Sequence, residues 1–189
     1  ENPHTLVLVS KSPRRRQLLS ERGFRLEIVG PPDDVEELSE GAPDYLVTEN
    51  ARRKVIAYLQ TIENNEQAKL RKVFLGVDTL VEYKGTVLGK PVDEDDAIRM
   101  LTTLSGNVHS VFSGLHLVGP GGREVSIFRE TKVRFRQLSQ EGMAYYVSTG
   151  EPLDKAGAYG IQGVAGLFIE GIEGCYYNVV GLPLAALCD

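Results

Sequence analysis

Short apolar runs alternate along this chain with longer segments in which apolar residues recur every three or four positions. Such runs occupy residues 5–9, 26–29 and 72–77, and a β-branched run of this length between turn residues predicts a buried strand. The segment from about Asp44 to Ile62 has helical periodicity instead. Its apolar positions are Val47, Ala51, Val55, Tyr58 and Ile62. Strands that interleave with helices predict an α/β protein.

The second half of the chain is made of shorter alternating segments and glycine-rich turns. Capping residues predict helices over about 93–106 and 139–147. Lys84-Gly85, between two short apolar runs, predicts a β-hairpin. The remaining strands are predicted at residues 80–83, 86–88, 108–118, 124–135, 166–170 and 176–180. Because hairpin strands pair antiparallel, we expect one long, twisted, mixed β-sheet flanked by helices.

The composition is typical of a globular protein. The chain has 189 residues, of which 42% are hydrophobic and 25% charged, and this is enough to bury one core, so we expect a single domain over residues 1–189. No run approaches the roughly 20 apolar residues that cross a membrane. The first residues also lack the basic and then apolar pattern of a signal peptide. We therefore expect a cytoplasmic protein with no membrane partner.

The charge of the chain argues against one kind of anionic partner and favours another. A net charge of −5 argues against a broad nucleic-acid surface, so no nucleic-acid partner is expected. The cations are nevertheless concentrated in a few turn-rich segments. These are Lys11, Arg14, Arg15 and Arg16, and then Lys54, Lys90 and Lys155. An acidic protein with such local clusters is suited to a small polyanion.

A helix start follows the first predicted strand, in the sequence Ser10-Lys11-Ser12-Pro13-Arg14-Arg15. Ser12 is a good N-cap, Pro13 suits the first helical position, and Gly23 ends the helix. The N–H groups of a helix N-terminus attract phosphate, and two arginines in the first turn add bidentate donors. A capped surface helix with solvated arginines would have the same sequence, so the segment alone leaves both interpretations open.

A carboxylate follows the predicted strand at residues 72–77, in the sequence Gly76-Val77-Asp78-Thr79. Open α/β sheets place ligands at the carboxyl ends of strands. An aspartate there can bind a hard divalent cation or accept a proton from water. The alternative is a turn aspartate that bonds its own backbone. Glu36 and Glu37, in an acidic loop, offer a second carboxylate or simply solvated charge.

Two further segments combine glycine with a polar side chain. In Leu88-Gly89-Lys90-Pro91, Lys90 could neutralise a phosphate or be an ordinary loop lysine. Residues 150–163 contain many glycines, whose ordering is costly unless the backbone must approach something closely. Within this segment Gln162 has the acceptor and the donors needed to read the edge of a base.

Taken together, these segments resemble the Maf family of nucleoside triphosphate pyrophosphatases. The resemblance rests on six motifs that occur in order over nearly the whole chain. They are Ser10–Arg15, Gly76–Thr79, Leu88–Pro91, Leu104–Gly106 with His109, Asp154–Gly163 and Tyr177–Pro183. The Asp154–Gly163 string is similar to the branch that acts on dTTP and UTP, and not to the branch that acts on 7-methyl-GTP.

The resemblance implies a fold similar to the inosine triphosphate pyrophosphatases, with two lobes around a central cleft. It implies cleavage between the α and β phosphates with a divalent cation, Mg²⁺ or Mn²⁺. Asp78 matches the general base and Glu37 matches another active-site position, and we expect Glu37 and Asp78 to hold the metal. Arg14, Thr79 and Gln162 match positions linked to substrate choice. The other expected site residues are Lys54 and Lys90 as catalytic cations, and Ser10, Ser12, Arg15 and Lys155 as substrate-binding residues.

Several alternatives stay open at this stage. The acidic loop looks longer than usual, so Asp34 or Glu36 competes with Glu37 for the metal, and Lys11 stands where the family has a small residue. The favoured substrates are dTTP and UTP, with CTP or modified pyrimidine nucleotides as further candidates. A pyrophosphatase for ITP or XTP and a nucleotide-binding regulator of cell division without turnover are the rival functions. A homodimer is left open, and His109 is expected to be a structural hydrogen-bonding residue.

Overall fold

The structure is a computed structural model that describes residues 4–188. Its strands are β1 (Thr5–Val9), β2 (Leu26–Val29), β3 (Lys72–Tyr83), β4 (Thr86–Leu88), β5 (Val108–Val118), β6 (Glu124–Phe135) and β7 (Ile169–Glu173). Its α-helices are α1 (Pro13–Ser20), α2 (Pro43–Thr61), α3 (Glu66–Lys69), α4 (Glu94–Leu104), α5 (Gln140–Ser148) and α6 (Tyr176–Val180).

Most of the predicted elements are confirmed, and the predicted caps explain where the helices begin. The side chain of Ser12 accepts a hydrogen bond from the N–H of Arg15 at the start of α1. Asp93 caps α4 through the N–H of Asp96, and Ser139 caps α5 through that of Gly142. The predicted bounds of β1, β2, β5 and β6 agree with the structure.

The structure corrects the predicted strands in three places. The segments at 72–77 and 80–83 form one continuous strand, β3, because Asp78 and Thr79 stay extended. The strand predicted at 166–170 begins only at Ile169, after a 3-10 turn. The strand predicted at 176–180 is wrong, since these residues form the short helix α6. An apolar run of this length suits either a buried strand or a buried helix.

The sheet is mixed, as the hairpin pattern predicts. Within the described residues it has seven strands in the order β2-β1-β3-β5-β6-β7, and β4 pairs with β3. β1 is parallel to both β2 and β3. The pairs β3–β4 and β6–β7 are antiparallel. A mixed α/β fold with flanking helices is therefore confirmed.

The described residues divide into two compact units. The first unit contains the residues up to Asp78 together with Ser113–Phe128, and the second contains Thr79–Phe112 and the residues from Arg129 on. In the first unit, Val55 of α2 packs with Phe74 of β3. The core of the second unit joins α4 and α5 to β5 and β6, and includes Leu101 and Phe135. The expectation of a single domain over residues 1–189 stays a prediction.

Two glycines allow α2 to lie close to the sheet of the first unit. A Cβ on Gly76 of β3 would lie 2.1 Å from the carbonyl oxygen of Ala51. A Cβ on Gly114 of β5 would lie 2.4 Å from the carbonyl of Val47. Real Cβ atoms do not come this close to backbone atoms, so both positions require glycine at this helix-to-sheet distance. Among the residues that the structure describes, no helix has the length and hydropathy needed to cross a membrane.

Candidate active site

Three charged side chains of the first unit form a cluster at the middle of β3. The Nζ of Lys54 lies 2.8 Å from Oδ1 of Asp78 and 2.7 Å from Oε1 of Glu37. The side chains of Lys54 and Asp78 are 10% and 14% exposed, whereas that of Glu37 is 54% exposed. We call Glu37, Lys54 and Asp78 the carboxylate-lysine cluster. One ammonium therefore bridges two carboxylates, and one of these carboxylates faces solvent.

The helix α2 supplies two neighbouring polar groups to this cluster. Asn50 and Lys54 are four residues apart, so they lie on the same face of the helix. The Nδ2 of Asn50 donates to Oδ2 of Asp78 at 3.3 Å. Asp78 therefore accepts from Lys54 on one oxygen and from Asn50 on the other. Asn50 is a site residue that sequence reasoning missed.

The N-terminus of α1 brings the predicted serines and Arg15 together. The guanidinium of Arg15 donates to Oγ of Ser10 and to the carbonyl of Val77, both at 3.2 Å. Ser10 Oγ also accepts from the N–H of Ser12 at 3.2 Å. The carbonyl of Val77 precedes Asp78, so this contact ties the helix start to the strand that carries Asp78.

The electrostatics of Arg15 link the helix start to the carboxylate-lysine cluster. Burial lowers the pKa of Arg15 to about 10, while the charges of Asp78 and Glu37 act in the opposite direction. Arg15 therefore remains a cation at neutral pH. A partly desolvated guanidinium beside a helix N-terminus is well suited to hold a phosphate oxygen.

The acidic loop contributes Glu37, and its neighbours have other contacts. Glu36 offers its backbone carbonyl to Arg53 at 3.1 Å. Asp34 is exposed. Asp33 pairs with Lys11 at 2.6 Å, and this hydrogen bond lowers the pKa of Asp33. Of the three acids that compete for the metal, Glu37 is the one whose carboxylate contacts Lys54.

Arg14 lies in the first turn of α1, in the first unit, and is half-buried. The other remaining predicted residues belong to the second unit. Thr79 donates to the carbonyl of Gly181 at 3.4 Å. Lys90 and Gln162 are exposed. The N–H of Gly157 donates to the carbonyl of Gly89 at 3.0 Å, so the loop that carries Lys90 is joined to the glycine-rich segment. The structure thus connects two segments that are separate in the sequence.

The ammonium of Lys155 is held within its own segment. Its Nζ lies 2.7 Å from Oδ1 of Asp154 and donates to the carbonyl of Glu151 at 2.8 Å. The aliphatic part of the side chain lies along Gly160, where a Cβ would be 2.7 Å from Cε of Lys155. Lys155 therefore stabilises the conformation of the glycine-rich segment, in addition to its predicted role in substrate binding.

Glu151 is a second residue that sequence reasoning missed. One carboxylate oxygen accepts from the hydroxyl of Tyr146 at 2.9 Å, and the other accepts from the N–H of Val164 at 3.2 Å. A Cβ on Gly163 would lie 2.1 Å from this carboxylate. The glycine at 163 is therefore explained by the side chain that packs against it. The sequence signal is the glutamate itself, at the start of a glycine-rich segment.

His109 lies in the core of the second unit. Its Nε2 is 2.7 Å from the hydroxyl of Tyr159, and its ring stacks edge-on against Phe135 and Tyr159. Burial lowers the pKa of His109 to about 4, so the imidazole is neutral at pH 7. The prediction of a structural hydrogen-bonding histidine is confirmed.

The chemistry of the cluster fits a divalent cation that is held jointly with substrate. Among residues 4–188 no group of three or more His, Cys, Asp or Glu side chains is arranged to hold a metal ion. Mg²⁺ is commonly bound by one or two carboxylates together with phosphate oxygens and water. Asp78 and Glu37 supply two such carboxylates, and the exposed side of Glu37 is open to an incoming ion.

Comparison with known proteins places the chain in a family. Residues 5–189 match the family described as Maf-like protein. Among solved structures, the Staphylococcus aureus Ham1 protein aligns over 69% of this chain and 71% of its own, with 16% identity and a TM-score of 0.48.

Curated relatives are much more similar. The chain is 46% identical to the dTTP/UTP pyrophosphatase of Bdellovibrio bacteriovorus over 95% of its length and 93% of the relative. It is 45% identical to the dTTP/UTP pyrophosphatase of Thermococcus gammatolerans, over 95% and 91% of the two chains. The protein of the same description from Carboxydothermus hydrogenoformans is 46% identical, over 96% and 94%. Given matches that extend over nearly its full length, this chain belongs to the Maf-like protein family.

Proposed function

We propose that this chain hydrolyses nucleoside triphosphates, with dTTP and UTP as its main substrates, to the nucleoside monophosphate and pyrophosphate. Relatives that are 45–46% identical over almost the whole chain carry the name dTTP/UTP pyrophosphatase. The observation that carries the proposal is the carboxylate-lysine cluster, in which Lys54 bridges Asp78 and Glu37. The carboxylate-lysine cluster supplies the general base, the cation and the carboxylates that such a reaction needs.

The phosphates are held mainly by cations and backbone N–H groups. A triphosphate carries about four negative charges at neutral pH, so catalysis depends on positioning it and neutralising charge. Ser10, Ser12 and the N-terminus of α1 hold phosphate oxygens, and Arg15 supplies a charge-assisted contact. Arg14, on the same helical turn, and Lys54 add positive charge around the leaving pyrophosphate.

Asp78 orients and deprotonates the attacking water. The water oxygen forms a bond to the α-phosphorus, the bond from that phosphorus to the bridging oxygen breaks, and the proton passes to Asp78. Lys54 and Asn50 keep both oxygens of Asp78 in hydrogen bonds, and so fix the direction of the carboxylate. A bound Mg²⁺ or Mn²⁺, held by Asp78 and Glu37, would polarise the α-phosphate and neutralise developing charge.

The second unit is proposed to determine which nucleotide is accepted. Gln162 has the donors and the acceptor to read a base edge, and it is exposed on the glycine-rich segment. Thr79 is proposed to share this role. Lys90 and Lys155 are proposed as further phosphate contacts.

The direct test is product analysis with the purified full chain. dTTP, UTP, CTP, ITP and XTP are each incubated with Mg²⁺, with Mn²⁺ and with excess chelator, and pyrophosphate and orthophosphate are measured separately. We expect pyrophosphate and monophosphate from dTTP and UTP, and only with a divalent cation. Orthophosphate release, or full activity in chelator, contradicts the mechanism. Preference for ITP and XTP favours the purine-nucleotide alternative, and binding without turnover favours a regulator.

A further inference from the structure

Asn50 is a polar side chain buried at the centre of the first unit. It is 3% exposed, on the face of α2 that also carries Lys54. Its Oδ1 accepts from the N–H of Leu38 at 2.7 Å, and its Nδ2 donates to the carbonyl of Leu38 at 3.0 Å. Nδ2 also donates to Oδ2 of Asp78 at 3.3 Å. The amide therefore contacts both carboxylate-bearing segments of the carboxylate-lysine cluster.

These three contacts need the chemistry of an amide. Leu38 requires one acceptor and one donor, and Asp78 requires a second donor. An asparagine side chain has one carbonyl and an NH₂ group with two hydrogens, so it satisfies all three at once. An aspartate at this position would keep the acceptor but lose both donors. A leucine, which has the same branching and number of side-chain heavy atoms, would lose all three contacts.

The segment that carries Glu37 depends on such an anchor. Residues 30–42 contain neither a helix nor a strand, and Glu37 itself is mostly exposed. Asn50 holds both polar groups of Leu38, the residue directly after Glu37. Arg53 holds the carbonyl of Glu36, on the other side. A loop of this kind would otherwise sample many backbone conformations.

We propose that Asn50 is a positioning residue that sets the separation between Glu37 and Asp78. It fixes the loop through Leu38 and the carboxylate of Asp78 through its second N–H, while Lys54, one turn later, bridges the two acids. Asn50 itself touches neither substrate nor metal. Only the expected effect on turnover rests on the proposed function, because the contacts between Asn50 and Leu38 belong to the fold itself.

The first measurement follows the anchor directly. Asn50→Leu and Asn50→Asp are compared with the wild-type protein by amide hydrogen exchange over residues 34–42. In Asn50→Leu the N–H of Leu38 loses its acceptor, so its exchange should accelerate at least about tenfold. Asn50→Asp retains that acceptor and should accelerate less. The matched control is Gln60→Leu, an exposed amide on the same helix, which should leave the exchange of the Leu38 N–H unchanged.

The second measurement separates positioning from general stability. Steady-state kinetics with UTP and Mg²⁺ are measured well below the melting temperature of each variant. Because displacement of reacting groups by about 1 Å can cost up to 10²-fold, we expect kcat to fall by about 10- to 100-fold in both Asn50 variants. KM for UTP should change less than about threefold, since the phosphate contacts at α1 are untouched. A loss confined to stability would leave kcat unchanged at this temperature.

A double-mutant cycle with Glu37→Gln gives the third measurement. If Asn50 acts through Glu37 and Asp78, removal of the Glu37 charge should make part of the Asn50→Leu effect disappear. We therefore expect the loss in kcat caused by Asn50→Leu to be at least about threefold smaller in the Glu37→Gln background. Fully additive losses overturn the proposal.

The outcomes distinguish this inference from the proposed function. If wild-type protein has no turnover but Asn50→Leu accelerates exchange at Leu38, the proposed function fails and the anchoring role stands. If exchange at Leu38 is unchanged in folded Asn50→Leu, or if kcat is unchanged in an active enzyme, the positioning role is wrong. Should Asn50→Leu fail to fold, Asn50→Ala, which also removes the acceptor from the N–H of Leu38, carries the same comparison.

Discussion

Two carboxylates in this molecule each accept hydrogen bonds on both oxygens, but from different kinds of donor. Asp78, in the carboxylate-lysine cluster of the first unit, accepts from the ammonium of Lys54. Glu151, in the glycine-rich segment of the second unit, accepts from the hydroxyl of Tyr146 and the N–H of Val164. Burial raises the pKa of Tyr146, which therefore remains a neutral donor. Asp78 therefore has a charged donor among its partners, whereas both of these donors to Glu151 are neutral.

The difference separates a reactive group from a structural one. An arriving metal ion or phosphate competes electrostatically for the carboxylates and the ammonium of the cluster, so the contacts of Asp78 can be exchanged during a reaction. A backbone N–H and a buried tyrosine cannot move independently of the fold. Changes in the cluster should therefore affect turnover more than stability, and changes in the glycine-rich segment should do the reverse.

The largest effect is expected from Asp78→Asn, which keeps the shape of the side chain and removes its charge. Turnover of dTTP or UTP should fall by at least about 100-fold, the lower end of what a positioned base contributes. The melting temperature should change little. The matched control is Asp33→Asn, an exposed acid paired with Lys11. A stable Asp78→Asn protein with near-normal activity would remove Asp78 from the mechanism. Recovery at high metal concentration would indicate a ligand and not a base.

A second prediction concerns the glycine-rich segment, where a substitution should reduce stability more than turnover. Gly157 has a φ of +68°, and a Cβ there would lie 2.8 Å from the side chain of Val81. Gly157→Ala should lower the free energy of unfolding by about 3 kcal/mol, from left-handed strain and overlap together. Gly150→Ala is the control, because its φ is +74° but nothing lies within 4 Å, and it should cost about 1 kcal/mol. Equal losses in denaturant unfolding would mean that the contact with Val81 is unimportant.

A third prediction concerns the phosphate contact at α1. Arg15→Ala should remove a charge-assisted interaction worth about 1.5 to 3 kcal/mol, and so lower kcat/KM by about 10- to 150-fold. Arg16→Ala, an exposed arginine on the same helix, should leave kcat/KM within about twofold. If Arg15→Ala retains both affinity and turnover, the helix N-terminus is not the phosphate site.

The smallest effect is a pH dependence that arises in the second unit. The folded-state pKa of His109 is about 4, below the ordinary value of 6.5, so the unfolded chain binds the proton more readily between these values. Stability should therefore fall as the pH decreases, and the His109 contribution to this loss from pH 7 to pH 5 is about 2 kcal/mol. His109→Gln lacks the titrating group, and unfolding curves at both pH values should show a correspondingly smaller loss. An equal loss in both proteins would contradict the assignment.

The sequence predicts the fold well wherever the pattern has one interpretation. Strand β6 alternates exposed and buried positions over its last residues, ending at Val133 and Phe135, and its predicted bounds are correct. The sequence predicts a strand where helix α6 lies, because a short run of four apolar residues around Asn178 suits either structure. The side chain of Asn178, on that helix, donates to the carbonyls of Val111 and Arg129, so contacts far along the chain stabilise the helical form.

The site is predicted less completely than the fold. Asp78 is identified from a motif, Lys54 and Glu37 follow from the resemblance to the family, and the structure brings the three together. Asn50 gives no signal, because its partners Leu38 and Asp78 are 12 and 28 residues away. The pairing of Lys155 with Asp154 is local, but its effect depends on how the glycine-rich segment folds around it. Residues that act through neighbours become recognisable only when the contacts are known.

The close approach of α2 to the sheet has a consequence for how variants of this protein should be interpreted. Lys54 and Asn50 reach Asp78 because Gly76 and Gly114 present no side chain to the helix backbone. A single added methyl group at either glycine would push the helix outward and lengthen the contacts of Asp78, although every polar residue would be unchanged. Natural or engineered substitutions at these two positions should therefore be classed with inactivating changes, even though neither position carries a functional group.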